Sequence, residues 1–189
     1  RCTNNVEKGK GFALKWAFDK IFKMDKNYDA FCIFDADNLV SPNFLMEMNK
    51  QMCRGYRVIQ GYIDSKNPFD SWMTASYSIA FWTANRLYQL PRYYLGMSCG
   101  LCGTGFCVES EIIKEKGWNA TCLTEDLEFT MKLALDGIYV GWAHDATVYD
   151  EKPLTLKQSW NQRIRWMQEY AECTGRFFGK LMRKAIKEK

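Results

Sequence analysis

A short apolar run, Ala30-Phe31-Cys32-Ile33-Phe34, breaks off at Asp35-Ala36-Asp37-Asn38, and this edge constrains the chain more than any other segment. The run is too short for a helix and reads as a buried strand, closed by Asp37-Asn38 and Ser41-Pro42. Further strands are expected at Arg57 to Tyr62, Ile138 to Trp142 and Ala146 to Tyr149. Helical periodicity occupies about Gly11 to Lys23, Pro42 to Met52, Asp70 to Leu90 with a stop at Pro91, and Thr155 to Glu172. Strands alternating with helices predict an α/β sheet, and open sheets of that kind gather ligands at the carboxyl ends of their strands. In extended backbone, residues two apart point the same way, so Asp35 and Asp37 are expected to present paired carboxylates there. Such a pair suits a hard divalent cation shared with substrate phosphates; it suits equally well the cap of the next helix.

Two more polar clusters follow in order. Leu123-Thr124-Glu125-Asp126-Leu127 opens a helix, with Thr124 as candidate cap and Leu127, Met131 and Leu135 repeating every four residues. Acids in a first turn need no catalytic reason. Placed beside a substrate hydroxyl, however, Asp126 could take its proton. Gln162-Arg163-Ile164-Arg165-Trp166 sits on the helix expected over Thr155 to Glu172, where Gln162 and Arg165 share a face and Trp166 lies one turn beyond Gln162. Arg165 offers a planar fork for phosphate oxygens, Gln162 a neutral donor and Trp166 a flat apolar wall.

In this order the three clusters resemble the D, D, D, QxxRW pattern of processive family 2 glycosyltransferases, the group of cellulose, chitin, hyaluronan and poly-N-acetylglucosamine synthases. Asp126 follows Asp37 by 89 positions and Gln162 follows Asp126 by 36, both ordinary spacings for that family. Glu7-Lys8-Gly9-Lys10-Gly11-Phe12 resembles its lysine-containing segment, and Gly103-Thr104-Gly105-Phe106 its glycine-rich stretch. The resemblance implies a GT-A type, Rossmann-like mixed sheet flanked by helices, with the uridine-binding strands upstream of Arg1, so that this chain alone would bind nucleotide poorly. It implies Asp126 as general base. Lys10, Asp35, Asp37, Gln162 and Arg165 would contact the nucleotide-sugar, Asp37 and Asp35 a Mg²⁺ or Mn²⁺ ion, and Trp166, Glu125, Gly103 and Gly105 the acceptor. The expected reaction is inverting transfer of a sugar, N-acetylglucosamine or glucose, from a UDP-sugar to a growing polysaccharide. A non-processive lipid glycosyltransferase is the alternative within the enzyme class, and a membrane-associated scaffold with a decayed site the alternative outside it. The implied location is the cell membrane, with the active site on the cytoplasmic side and contact to the bilayer made through flanking segments.

Composition fits a folded domain, with 47% apolar and 25% charged residues. No apolar run reaches the roughly eighteen residues a membrane span requires. The catalytic domain is expected over residues 1–172 and a basic amphipathic interface helix over 173–189. From Arg176 to Lys189 the chain carries six basic residues and one acid among apolar residues at helical spacing, a pattern suited to an anionic membrane surface. Outside that tail the basic residues do not interleave with aromatics, which argues against a nucleic-acid platform. Of eight cysteines, Cys99, Cys102 and Cys107 cluster without a fourth nearby ligand, so buried thiols are expected rather than a zinc site. The single histidine, His144, is expected to be structural.

Overall fold

The computed structural model describes residues 9–118 and 125–187. The chain folds as α1 (Lys10–Ile21), β1 (Ala30–Ile33), β2 (Leu39–Val40), α2 (Phe44–Cys53), β3 (Val58–Ser65) and α3 (Trp72–Thr83). A π-helical segment (Ala84–Gln89) leads into α4 (Leu90–Tyr94), followed by β4 (Phe106–Glu109), α5 (Ser110–Lys116), α6 (Glu125–Leu135), β5 (Val140–Asp150) and α7 (Leu156–Lys187). One five-stranded mixed sheet runs in the order β1-β4-β3-β5-β2. β3 and β5 pair in parallel, while β4 runs antiparallel to both β1 and β3, and β2 antiparallel to β5. This is the mixed, helix-flanked sheet the sequence predicts.

The central strand β3 shows why the sheet needs cover on both faces. Val58 and Tyr62 join Phe18, Phe106, Phe129, Leu133 and Trp142 on one side, where α1, α5 and α6 lie. Ile59 and Ile63 face the other side with Phe44 and Met48 of α2. Burying each of these isoleucines stabilises the fold by about 2 kcal/mol.

Several boundaries differ from the sequence reading, each for a local reason. The two strands expected over 138–149 are one, because β5 carries three extra residues between Ala143, opposite Gly61, and Thr147, opposite Tyr62. This bulge presses the chain so tightly against β3 that a Cβ on Gly61 would lie 2.6 Å from the Ala146 carbonyl oxygen and 2.9 Å from that of Gly105. The helix expected to stop at Pro91 continues to Tyr94, since the π-helical turn just before it widens the backbone around a ring that lacks an N–H. At its start α3 is fixed by a capping box in which Ser71 and Thr74 exchange side-chain bonds with each other's N–H. β2, β4 and α5 are too short to leave a periodic signal.

The helix expected over Thr155 to Glu172 and the separate tail helix are one rod, α7, about 48 Å long at 1.5 Å per residue. Its start is a reciprocal cap, with the Gln158 N–H donating to Thr155 Oγ1 (3.3 Å) and the Thr155 N–H to Gln158 Oε1 (3.1 Å). Near its end Lys184 Nζ donates to the carbonyls of Ala134 and Leu135, at the negative end of α6. Gly175 and Gly179 lie inside this helix with open space where a Cβ would project. Gly175→Ala and Gly179→Ala are therefore each expected to raise stability by roughly 0.5–1 kcal/mol, measured by urea denaturation.

Candidate active site

The site is built at the carboxyl end of β1. Lys10, the first residue of α1, places Nζ 2.5 Å from Asp35 Oδ1 and 2.5 Å from the Gly103 carbonyl oxygen, with Glu125 Oε1 at 4.0 Å. Asp35 is held in turn by its own N–H, which donates to Asn38 Oδ1 (3.1 Å) and Thr104 Oγ1 (3.1 Å). Thr104 Oγ1 also donates to Asn38 Oδ1, and Asn38 Nδ2 donates to Asp150 Oδ1 at 3.2 Å. Asp150 Oδ2 pairs with the buried Lys152 Nζ at 2.9 Å. One polar chain thus joins the end of β1, the glycine-rich loop and the end of β5. Asn38, Thr104, Asp150 and Lys152 escape sequence reasoning because they come from three distant segments. For Asn38 and Thr104 the signal was adjacency to motif residues, in Asp37-Asn38 and Gly103-Thr104-Gly105; Asp150 and Lys152 had none.

The turn corrects one expectation. β1 ends at Ile33, and the Asn38 N–H donates to the Asp35 carbonyl, so Asp35-Ala36-Asp37 lies in a turn and not in extended backbone. The two carboxylates consequently diverge. Asp35 goes to Lys10, whereas Asp37 lines a cleft of about 290 Å³ together with Glu151, Lys152, Leu154, Gln158 and Gln162. The expected helix cap at Thr124 lies outside the described residues.

Asp126 reaches the site from the first turn of α6. Its Oδ1 accepts the Leu127 N–H at 2.7 Å, and a Cβ on Gly103 would come within 3.3 Å of its Oδ2. Gly103 (φ 80°) therefore lets the loop approach the carboxylate, which a side chain would obstruct. Burial pushes the Asp126 carboxyl above its usual range; the Leu127 N–H and Lys10 oppose this, and Asp35 adds to it. Glu125 is also raised, chiefly by burial. Thr130 ties the two elements together, donating to the Asp126 carbonyl (2.8 Å) and accepting from the Leu101 N–H (3.2 Å).

Two glutamines hold the glycine-rich loop. Gln60, fully buried in β3, donates to the carbonyls of Thr104 (2.9 Å) and Gly105 (3.1 Å) and accepts from the Cys102 N–H (2.9 Å). Gln89, at the end of the π-helical segment, exchanges two bonds with Gly100. Gln60→Leu leaves the Thr104 carbonyl and the Cys102 N–H without these partners, while the Gly105 carbonyl keeps the Gly61 N–H, and is expected to cost about 3 kcal/mol, read as a lower urea midpoint. Gly105 does not line the site. Its missing Cβ would strike Val148 Cγ1, so it serves the turn.

From α7, Gln162 faces the Asp37 cleft, and its Oε1 is buried without a hydrogen-bond partner among the described residues. Arg165 is exposed. Trp166 is half-buried with its ring 6.3 Å from that of Tyr77, whose hydroxyl also bonds Ser159 (2.9 Å) and accepts from Arg163 Nε (3.2 Å). Part of the Trp166 surface therefore seats α7 on α3.

Among the described residues no three acidic, cysteine or histidine side chains converge as a metal cage. The donor set nonetheless fits a cation carried on a diphosphate. Asp37 is an exposed oxygen donor at the cleft, and Mg²⁺ commonly takes one or two carboxylates plus phosphate oxygens. Asp35 fits less well, since Lys10 already occupies one of its oxygens. Cys99 is a core thiol whose pKa burial pushes up to about 11, as an inert cysteine should be, whereas Cys102 is exposed and not the buried thiol expected. His144 accepts from Trp142 Nε1 (3.3 Å) and meets the Tyr62 ring edge-on, a structural setting.

Comparison with known proteins agrees with this geometry. The chain is 26% identical over 188 residues to the probable glycosyltransferase YdaM of Bacillus subtilis, covering 96% of this chain and 44% of that protein. It is 27% identical over 142 residues to the beta-monoglucosyldiacylglycerol synthases of Trichormus variabilis and of a Nostoc species, covering 72% of this chain and 29% of each. The chain thus spans less than half the length of these relatives. The profile of glycosyl transferase family group 2 matches residues 30–184, from the strand that leads to Asp35 through the Gln162–Trp166 helix and beyond, and the chain belongs to that family.

Proposed function

We propose that this chain is the catalytic part of an inverting glycosyltransferase that uses a UDP-sugar. The observation that carries the reading is Asp126: a half-buried carboxylate of raised pKa, set by a helix start against the Gly103 loop and close to the Lys10–Asp35 pair. In the proposed reaction Asp126 takes the proton of an acceptor hydroxyl, whose oxygen attacks the anomeric carbon from the face opposite the diphosphate. Lys10, Arg165 and Gln162 hold the diphosphate and stabilise the charge that grows as it leaves. Asp37 would bind a Mg²⁺ or Mn²⁺ ion, which when present supplies further charge stabilisation on the leaving group. The Trp166 face not covered by Tyr77 is an apolar platform for the acceptor, with Glu125 and Gly103 nearby.

The sugar proposed is N-acetylglucosamine or glucose, and the acceptor a growing polysaccharide. A lipid acceptor is the second reading, favoured by the relatives named beta-monoglucosyldiacylglycerol synthase. UDP release by the full-length parent, across a panel of UDP-sugars with and without Mg²⁺ or Mn²⁺, tests the reaction. Product length with saccharide and diacylglycerol acceptors separates the two readings. No stimulation by any UDP-sugar would refute both.

We further propose that α7 meets the cytoplasmic surface of the cell membrane. No helix among the described residues is long and apolar enough to cross a bilayer. Yet Trp160, Ile164, Met167, Phe178, Met182 and Ile186 leave an exposed apolar stripe along α7, with Lys180, Arg183 and Lys187 on its second half. Cys173 and Phe177 are buried instead, so only one side of the rod is available. Co-sedimentation with anionic vesicles, and none with neutral ones, is the expected result.

A further inference from the structure

One buried charge in the site has no evident structural purpose. Glu169, on α7, is 1% exposed, and neither carboxylate oxygen has a hydrogen-bond partner among the described residues. A carboxylate in that state is costly, because burial removes its water and no donor replaces it. Its neighbours make matters worse. Glu125 and Asp126 at the start of α6 and Glu172 on α7 all disfavour its charge. Arg165 is the cation that opposes them, its Nε standing 3.7 Å from Glu169 Oε1.

Helix stability does not account for the pair. The arginine precedes the acid by four residues, which is the weaker orientation along a helix. Its side chain is also 61% exposed, where an ion pair contributes little. What the pair does define is the direction of the guanidinium. Nε is the nitrogen nearest the carboxylate, so the acid engages the inner edge of the group. The terminal fork is then presented outward, the edge that binds phosphate oxygens two at a time.

We propose that Glu169 is a positioning residue for Arg165: it holds the Nε edge of the guanidinium so that the terminal nitrogens face the diphosphate of the donor. The inference rests on the leaving-group role proposed above for Arg165. The separation of 3.7 Å closes to a hydrogen bond when the diphosphate draws the side chain into place, as catalytic contacts that are long without substrate commonly do. Like charge from Glu125 and Asp126 keeps Glu169 dependent on Arg165, which couples the base side of the site to the leaving-group side.

Steady-state kinetics on the full-length parent with Glu169→Gln, Arg165→Lys and the double variant test this. Glu169→Gln is expected to lower kcat/KM for the UDP-sugar roughly tenfold, because a misdirected phosphate contact is that costly, while the acceptor KM stays unchanged. Added to Arg165→Lys, it should cause no further loss. A merely structural Glu169 would instead lower the melting temperature and disturb both substrates alike, and either that result or two independent, multiplying losses would overturn the proposal. If Arg165→Lys alone leaves donor kinetics unchanged, the leaving-group reading itself fails, and this inference with it. Should Glu169→Gln not fold, Glu169→Asp, which keeps the charge but withdraws it by one methylene, is expected to give the same donor-specific loss.

Discussion

Asp126→Asn in the full-length protein is expected to lower kcat about a thousandfold, within the range that one positioned general base contributes. The donor KM should change little, because Lys10, Asp37, Gln162 and Arg165 are all retained. Folding should survive as well. An Asn keeps an oxygen for the Leu127 N–H and removes a charge that burial disfavours. The wild-type pH profile provides an independent check. Burial raises the Asp126 carboxyl, so the proton returns to it at a higher pH than on an ordinary aspartate. Activity is then expected to fall, as pH is lowered, above the usual carboxylate range, and this acid limb should be missing from whatever activity Asp126→Asn retains. Near-normal turnover by the variant would show that another group accepts the proton.

The second large effect is expected at Gly61, inside the sheet beneath the glycine-rich loop. Gly61→Ala places a methyl group 2.6 Å and 2.9 Å from two carbonyl oxygens that belong to backbone, Ala146 in the β5 bulge and Gly105 in the loop. Backbone in a paired sheet cannot swing aside as a side chain can. The expected cost is about 3 kcal/mol or more, enough to unfold much of a marginally stable domain at 37 °C, and urea denaturation reads it directly. Gly103→Ala offers the contrast. There the nearest atom is Asp126 Oδ2 at 3.3 Å, a side-chain end and not backbone, so beside the strain of an Ala at φ 80° a loss of turnover is expected as well.

Much of this fold was legible because its longer elements carry strong periodicity. The strand β1 and the helices α1, α2 and α6 all lie where apolar spacing put them, within a residue or two, and β3 starts where expected but runs three residues further, to Ser65. The misses share a cause, which is long-range context. The bulge in β5 exists because of what Gly61 permits on the neighbouring strand, and a local pattern could only read it as two strands. Pro91 looked like a stop because the π-helical turn that accommodates it has no sequence signature. The continuity of α7 was hidden by a change in composition near Cys173. At the site, the motifs identified Lys10, Asp35, Gly103 and Asp126, which the fold does bring together. They could not reveal that Asp35 and Asp37 diverge at a turn, nor that Gln60 and Gln89 secure the loop from β3 and from the π-helical segment. Glu169 was invisible for the same reason, since its significance lies in its burial and not in its spacing.

α7 has a mechanical consequence. It lies alongside α6 with no break between Leu156 and Lys187, anchored near its far end where Lys184 meets the last carbonyls of α6. A rod without a hinge transmits tilt. Whatever grips its outer half, whether a bilayer, another domain or a partner, also steers Gln162 and Arg165 against an Asp126 that stays with the sheet. The distance between Asp126 and the Gln162–Arg165 pair would then be adjustable from some 30 Å away, the reach of about twenty helical residues, without any change in the residues of the pocket itself.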